Sequence, residues 1–296
     1  MKALLHRLND LASARFGIRA VRTDRLYPWQ TAPGLAGTRG SSSLPEDAAD
    51  WLRPDNPLLA ELTARYAAFD PRVTTPARWT PDRLPPQDLL WFRGDNAFLW
   101  QVRGAHRDPL AYALCYYHFA ASDDEGLLDR LDEDDLFGIH LVELDGRPVS
   151  RDLIDSAREI QFLRRHLALG DRQATILDIG AGYGGAAVLP LDEVEPLLAR
   201  EPVDLAVNVH SFSECTVEAI AWWVERLAGA RVPHLLIVPN AGTRDGRECQ
   251  AADGTNIEPL LARCGYQPKA REPRYSDPFV QAYGLDPVWL HLFELA

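Results

Sequence analysis

Cysteine is scarce in this chain, and the positions of its cysteines argue against two classes of small domain. Four cysteines occur in 296 residues, at positions 115, 215, 249 and 264. No two of them form a C-x-x-C pair followed by histidines at ligand spacing, the arrangement typical of many zinc sites. A disulfide framework needs a higher density of cysteine than this chain has. We therefore expect free thiols in a reducing compartment and no metal site.

Long apolar runs and dense basic clusters are missing as well. No stretch approaches the roughly 20 apolar residues that cross a bilayer, and His6, Arg7 and Asp10 interrupt the apolar start that a signal peptide needs. The chain carries 43 acidic and 31 basic residues, whereas nucleic-acid binding needs a basic surface. These features predict a cytoplasmic protein without nucleic-acid or membrane partners that acts on a small molecule, although solubility alone explains the charge equally well. They leave homo-oligomerisation open.

The alternation of strands and helices after Gly170 predicts the fold class. Apolar runs typical of strands lie at 174–179, 203–209, 235–238 and 289–295. With a helix predicted over 216–228, this alternation indicates an α/β fold with a Rossmann-like parallel sheet. A further helix, with Ser150 as its predicted N-cap, precedes the sheet. We predict two domains, a mainly helical N-terminal or substrate domain over 1–146 and a Rossmann-like domain over 147–296.

The strongest local signal is the segment Asp178-Ile179-Gly180-Ala181-Gly182-Tyr183-Gly184. An apolar strand leads into a turn whose glycines let the backbone approach a ligand without a Cβ in the way. Such a turn also occurs in nicotinamide-dependent oxidoreductases, but those carry an acid about 20 residues after the glycines. Here the acid, Asp178, comes two residues before the first glycine, which disfavours that class. A glycine turn that binds no ligand remains the alternative.

Polar side chains follow the next strand, between Asn208 and Glu214. Ligands of open α/β sheets bind at the carboxyl ends of the strands, so His210, Ser211 and Glu214 are expected at a binding cleft. Histidine has a pKa suited to accept a proton near neutrality, and Glu214 is placed to orient the imidazole or to hold a hydroxyl. The alternative is that these residues only start the next helix, and for Ser213 we expect such a capping role. Asn240 follows the third strand and lines the same cleft or a plain turn.

Aromatic and polar side chains alternate between residues 89 and 119. Trp91 and Phe92 lie beside the polar residues Arg93, Asp95 and Asn96. Aromatic rings next to polar groups can form a wall on which a sugar stacks. The aromatic core of a helical domain explains the same composition and is the more frequent arrangement.

Taken together, these segments resemble the sugar O-methyltransferases of bacteria, from about Trp91 to the C-terminus. The matching segments are 91–96, 137–138, 149–156 with Glu159, 178–184, 208–214 and 238–240. The resemblance implies S-adenosylmethionine as cofactor and a sugar hydroxyl of a glycan or glycosylated metabolite as methyl acceptor. It implies His210 and Glu214 as catalytic residues. The implied cofactor-binding residues are Asp178, Gly180, Ala181, Gly182, Tyr183, Gly184 and Asn208, and the substrate-binding residues are Arg93, Asp95, Asn96, Ser211 and Asn240.

The chain departs from this family directly after the glycine loop. The family continues through a helix, a second strand that ends in an acid for the cofactor ribose, another helix and a third strand. Here Ala187 is followed almost at once by Val188-Leu189-Pro190-Leu191, too soon for a parallel crossover. We therefore predict a shortened sheet in which the glycine loop leads through a helix over 191–200 directly to the strand at 203. A degenerate relative that binds a glycan or a partner without turnover is the alternative function.

Overall fold

The computed structural model describes residues 15–16, 44–51, 53, 55–78, 80, 109–137, 139, 141–167, 173–180, 188–240, 246–285 and 288–296. Seven of the expected site residues lie outside this set. They are Arg93, Asp95, Asn96, Ala181, Gly182, Tyr183 and Gly184.

The described part of the chain contains helices followed by a mixture of strands and helices. The helices are α1 (Ala48–Trp51), α2 (Pro57–Ala67), α3 (Pro71–Thr74), α4 (Pro109–Ala120), α5 (Leu127–Arg130), α6 (Arg151–His166), α7 (Val194–Arg200), α8 (Val217–Gly229), α9 (Glu258–Arg263) and α10 (Pro278–Tyr283). The strands are β1 (Val142–Leu144), β2 (Arg147–Val149), β3 (Ile176–Asp178), β4 (Leu205–Val209), β5 (His234–Val238), β6 (Tyr266–Pro273) and β7 (Trp289–Leu295). None of the helices described here combines the length and the apolar character needed to cross a bilayer.

The hairpin of β1 and β2 lies at the expected domain boundary. Its turn is Asp145-Gly146, and both residues have positive φ, 52° and 79°, as a tight two-residue hairpin turn requires. The boundary between residues 146 and 147 therefore falls at the tip of the hairpin. Apolar side chains of α4, α6 and α10 form one core across it. The division into two domains stays a prediction.

The main sheet has five strands in the order β3-β4-β5-β7-β6. Strands β3, β4 and β5 are parallel, with Ile176 opposite Leu205 and Val207 opposite Leu236. Strand β7 runs antiparallel to both of its neighbours, β5 and β6. The α/β class is confirmed, and the sheet is mixed, because the last strand enters between β5 and β6 in the reverse direction. A Rossmann-like sheet of methyltransferase type stays a prediction.

Alternating side chains along the strands pack against helices on both faces of the sheet. Ala206 and Ile237 face α8 and α9, where Ile220 and Leu261 are fully buried. The intervening Leu205, Leu236 and Leu290 face the C-terminal half of α6. A period of two in the strands thus produces three layers, with the sheet in the middle.

The connection from β3 to β4 is short. After Val188 the chain forms a 3-10 turn over Leu191–Glu193 and then α7. Pro196 is the third residue of α7. The first four N–H groups of a helix have no intrahelical partner, so the N–H that proline lacks is not needed here and the helix continues. The short helix brings the chain back to β4, which is the one strand that pairs with β3 among the residues described.

Candidate functional site

The carbonyl of Ile179, directly after β3, is held by two side chains from the end of β4. Asn208 Nδ2 and Ser211 Oγ each donate a hydrogen bond to Ile179 O, at 3.0 Å in both cases. The Asn208 Oδ1 atom accepts a hydrogen bond from the N–H of Phe212 at 2.9 Å, and the side chain is fully buried. Asn208 and Ser211 therefore position the start of the glycine loop, whereas their contact with cofactor or substrate stays a prediction.

The first glycine of the loop is required by the protein itself. Gly180 has φ of 82°, a conformation that residues with a Cβ rarely adopt. A Cβ at this position would lie 2.6 Å from Ser211 Oγ and 2.7 Å from Ser211 Cβ. We expected a ligand to lie close to this glycine. The side chain of Ser211 lies there instead.

His210 lies at the carboxyl end of β4 in a strained backbone conformation. Its φ is 67°, and its N–H donates to the carbonyl of Val238 in the neighbouring strand at 2.7 Å. The ring has a hydrogen bond with the backbone of Pro239, while the buried Nδ1 atom has no hydrogen-bond partner. Burial lowers the pKa of His210 well below its usual value, and the charges of Arg274 and Arg151 lower it further. The imidazole is thus neutral at pH 7 and carries an unused lone pair.

The residues that follow β4 and β5 contact each other. The N–H of Asn240 donates to Ser213 Oγ at 3.1 Å, and Asn240 Nδ2 donates to Glu214 Oε1 at 3.3 Å.

The expected capping role of Ser213 is wrong. The chain makes a 3-10 turn over Ser211–Glu214 before α8 begins, so Thr216 is the cap, and its Oγ1 accepts from the N–H of Ala219.

A buried ionic cluster lies beside this edge of the sheet. Arg274, directly after β6, is 1% exposed. Its Nη1 atom lies 2.8 Å from Asp155 Oδ2, and its Nη2 atom lies 3.0 Å from Glu159 Oε1. Burial lowers the pKa of Arg274, but the two carboxylates outweigh burial, so the net shift is upward. Arg274 therefore remains charged in the interior.

Glu159 of this cluster has a strongly raised pKa. Burial raises its pKa to about 7 against the opposing effect of Arg274. The charges of Asp155 and of Asp178, the last residue of β3, raise it further. Asp178 is close enough for its charge to act on Glu159, so the cluster is electrostatically coupled to the start of the glycine loop. A carboxyl group with this pKa can take up or release a proton near neutral pH.

This cluster was not predicted from the sequence. Its helical members lie on one face of α6, namely Arg151, Asp155, Arg158 and Glu159. Arg158 Nε donates to the carbonyl of Arg274 at 2.6 Å, and Arg151 Nε lies 3.7 Å from Asp155 Oδ2. A charged stripe on a helix usually faces solvent, and no local spacing connects α6 with Arg274. Two signals were available, the spacing of the four residues at helical period and the place of 149–156 and Glu159 among the segments that carry the resemblance.

An open cleft of about 300 Å³ lies where β6 ends and β7 begins. Pro273 and Trp289, which pair across these strands, line it together with Arg247 and Tyr275. Because β6 is parallel to β5, this cleft is at the same edge of the sheet as His210 and Asn240. The guanidinium of Arg247 lies 5.8 Å from the centre of the Trp289 ring.

The aromatic wall expected between residues 89 and 119 lies outside the described residues as far as residue 108. Farther on, in α4, Tyr112, Tyr116 and Phe119 are buried in a core, in line with the alternative interpretation.

Comparison with known proteins adds no relative to this picture. The chain matches no protein-family model, and a search of curated proteins finds no match either. Functional inference for this chain therefore rests on its residues and their geometry.

Proposed function

We propose that this protein is an S-adenosylmethionine-dependent O-methyltransferase that acts on a sugar hydroxyl of a glycan or glycosylated metabolite. The observation that carries the proposal is the parallel pair of β3 and β4, joined by a short helix and closed by the hydrogen bonds of Asn208 and Ser211 to Ile179. This is the minimal unit that the sequence resemblance requires. It holds the glycine turn at the carboxyl edge of the sheet, where α/β proteins bind nucleotides.

Two features at this edge fit the cofactor. The carboxylate of Asp178 is exposed at the end of β3, and Gly180 turns the chain there with a positive φ. When bound, S-adenosylmethionine supplies a methyl group on a positively charged sulfur. Asp178 is the residue that would help to organise its methionine part, as the resemblance implies.

The reaction also needs a group that removes the hydroxyl proton of the acceptor. His210 is neutral and has a free lone pair on Nδ1, so it can accept that proton. Burial, helped by the positive charges of Arg274 and Arg151, lowers the pKa of the imidazole and keeps it unprotonated before the reaction. We therefore assign the role of general base to His210, with Glu214 and Asn240 as the polar pair that lies beside the acceptor site.

One observation favours a second candidate, a protein that binds a glycan or a partner without turnover. Strand β3 is at the edge of the sheet as described, and Ile176 is 53% exposed there. Val188, where the chain continues, is 87% exposed. Methyltransferases of the family that the sequence resembles have further strands on this side, and one of them carries the acid for the ribose.

Calorimetric titration with S-adenosylmethionine distinguishes the two candidates. We expect binding that weakens at least about tenfold in Asp178→Ala, since this change removes a charged contact. The matched control is Glu143→Ala, which removes an exposed carboxylate from the hairpin far from the glycine loop. Absence of binding to the wild-type protein at millimolar cofactor would exclude the methyltransferase and leave the second candidate.

If the cofactor binds, the role of His210 can be tested without disturbing the backbone. Asn tolerates a positive φ better than Ala, so His210→Asn removes the base and keeps the turn. We expect turnover to fall by about 10²–10⁴ while cofactor affinity stays unchanged. The assay is release of S-adenosylhomocysteine with a panel of methyl glycosides as acceptors. Wild-type turnover in His210→Asn would rule out this histidine as the base.

A further inference from the structure

Three side chains of metal-binding type lie close together between β7 and the start of α9. They are Cys249, Glu258 at the start of α9, and His291 in β7, and their ligand atoms all lie within 4.8 Å of one another. Cys249 is fully buried and His291 is 1% exposed. The chain around Cys249 and Glu258, nine residues apart, and the distant strand β7 thus place a sulfur, an oxygen and a nitrogen atom close together.

The hydrogen bonding of His291 points to a ligand. Its Nε2 atom is 2.8 Å from the carbonyl oxygen of Gly246, so Nε2 carries the proton and Nδ1 has a free lone pair. The buried Nδ1 atom has no hydrogen-bond partner. A histidine that binds a metal usually donates its other ring N–H to a carbonyl or carboxylate, which fixes the orientation of the ring. His291 has this arrangement, whereas a histidine that only fills the core would leave the lone pair unsatisfied.

The other two residues are held in place by their own elements. The carbonyl of Cys249 accepts a hydrogen bond from the N–H of Ile257 at 2.9 Å, which ties the cysteine segment to the start of α9. Glu258 is partly exposed and pairs with Arg271 of β6 at 2.8 Å. Arg271 lies opposite His291 in the ladder of β6 and β7. The backbone is therefore fixed, and the carboxylate of Glu258 is the part that can adjust.

We propose that Cys249, Glu258 and His291 bind a zinc ion. Zinc takes sulfur, nitrogen and oxygen ligands at about 2.0–2.3 Å, whereas magnesium and calcium select oxygen alone. Bond lengths of this size bring tetrahedral ligand atoms to roughly 3.5 Å from each other, so the three atoms, which lie within 4.8 Å of one another, approach by roughly 1 Å at most. The thiolate and the carboxylate balance the two charges of the ion, and the thiol proton passes to the solvent. A water molecule completes the four positions.

Metal titration of the full chain tests the site without reference to methyl transfer. Protein treated with EDTA and then dialysed is titrated with ZnCl₂ and, separately, with CoCl₂. We expect one ion per chain, and the cobalt form to show the near-ultraviolet band of a thiolate ligand. Zinc at a hundredfold excess over Kd raises the melting temperature by roughly 5 °C. A cobalt complex without the thiolate band would overturn the proposal.

Variants distinguish zinc binding at this site from zinc binding to other thiols of the chain. Glu258→Gln changes a partly exposed side chain and is expected to fold, and Cys249→Ser removes the sulfur ligand. We expect both to weaken zinc binding at least about tenfold. Cys264→Ser is the matched control, because Cys264 also lies in the α9 region but is not one of the three converging residues. Wild-type affinity in Glu258→Gln would contradict the site even if Cys249→Ser does not fold.

Discussion

Two clusters in this protein each place an arginine between two carboxylates and differ in their access to water, and the buried one also contains Arg151 and Arg158. In the surface cluster, Arg65 of α2 contacts Asp192 at 2.5 Å and Glu193 at 3.1 Å, and the side chains are 35%, 23% and 53% exposed. In the buried cluster, Arg274 contacts Asp155 and Glu159, and the side chains are 2%, 9% and 13% exposed. The geometry of the ion pairs is similar, so burial is the main variable.

The difference shows in the acidity of the members. The pKa of Arg65 is raised, first by its hydrogen bond with Asp192 and then by that with Glu193. In the buried cluster the loss of water acts against charge, so the pKa of Glu159 rises to about 7 although an arginine lies 3.0 Å away. A buried ion pair therefore does not ensure that both of its members stay charged. It can instead leave one of them ready to exchange a proton.

Removal of the buried arginine is expected to have the largest effect. Arg274→Met removes the arginine that lies between Asp155 and Glu159, while Arg151 stays 3.7 Å from Asp155. We expect a loss of about 3–5 kcal/mol in the free energy of unfolding, as measured by urea denaturation at pH 7. The loss should shrink at pH 5, where Glu159 is protonated.

A double variant tests whether the cost comes from uncompensated charge. Arg274→Met combined with Glu159→Leu removes the arginine and one carboxylate, and Asp155 keeps Arg151, whose Nε atom lies 3.7 Å from its Oδ2 atom. Replacing buried ionic groups by apolar side chains is often neutral or stabilising, so the double variant should recover most of the loss. If it is as unstable as Arg274→Met alone, the packing of the arginine stem, rather than its charge, stabilises the fold.

The second effect depends on pH. Because the pKa of Glu159 is raised in the folded protein, this residue destabilises the fold as pH rises from its ordinary value of 4.5 through about 7. Glu159→Gln lacks this loss. We expect the stability of the variant relative to wild type to increase by at most about 3 kcal/mol across that window.

Urea denaturation at pH 4.5 and pH 8 gives this difference directly. The matched control is Ser156→Ala, an exposed change in the same helix that adds and removes no ionisable group. A flat difference between Glu159→Gln and wild type would show that Arg274 keeps the carboxylate charged, and the contrast between the clusters would be smaller than we infer.

The smallest effect is expected at the surface. Arg65→Met removes the centre of the surface cluster, but solvent and salt screen its charges and the long side chain is free to move when unpaired. The urea midpoint at 0.15 M salt should therefore change by no more than the error of the measurement. A large loss would mean that the surface cluster holds α2 onto the 3-10 turn before α7, and the comparison would no longer rest on burial.

Much of the sheet could be predicted from the sequence, because buried parallel strands are continuous apolar runs. The predicted strands at 203–209, 235–238 and 289–295 match β4, β5 and β7 to within two residues, and Ser150 caps α6 through a 2.9 Å hydrogen bond from Leu153. Strand β6 was missed. It contains Pro268 and Pro273 and several charged side chains, a composition that an edge strand tolerates and a central strand does not.

The site was predictable only in part, for a physical reason. The polar residues after β4 and β5 meet at the sheet edge because parallel strands end there together. Arg274 was not predictable as their neighbour, because a charge is expected in water unless a partner distant in the sequence compensates it. The same limit applies to His291, whose unsatisfied nitrogen becomes visible only when the ladder of β6 and β7 is in place.

The hydrogen bonds that Asn208 and Ser211 make with the carbonyl of Ile179 also have a consequence for local motion. The turn at Gly180 cannot open while these two bonds remain, and they in turn depend on the 3-10 turn through the N–H of Phe212. In native-state hydrogen exchange, the amide of Phe212 and that of Ile179, which bonds to Val207, should therefore exchange as one cooperative unit. The stability of the turn after β3 would then be set by the strand beside it.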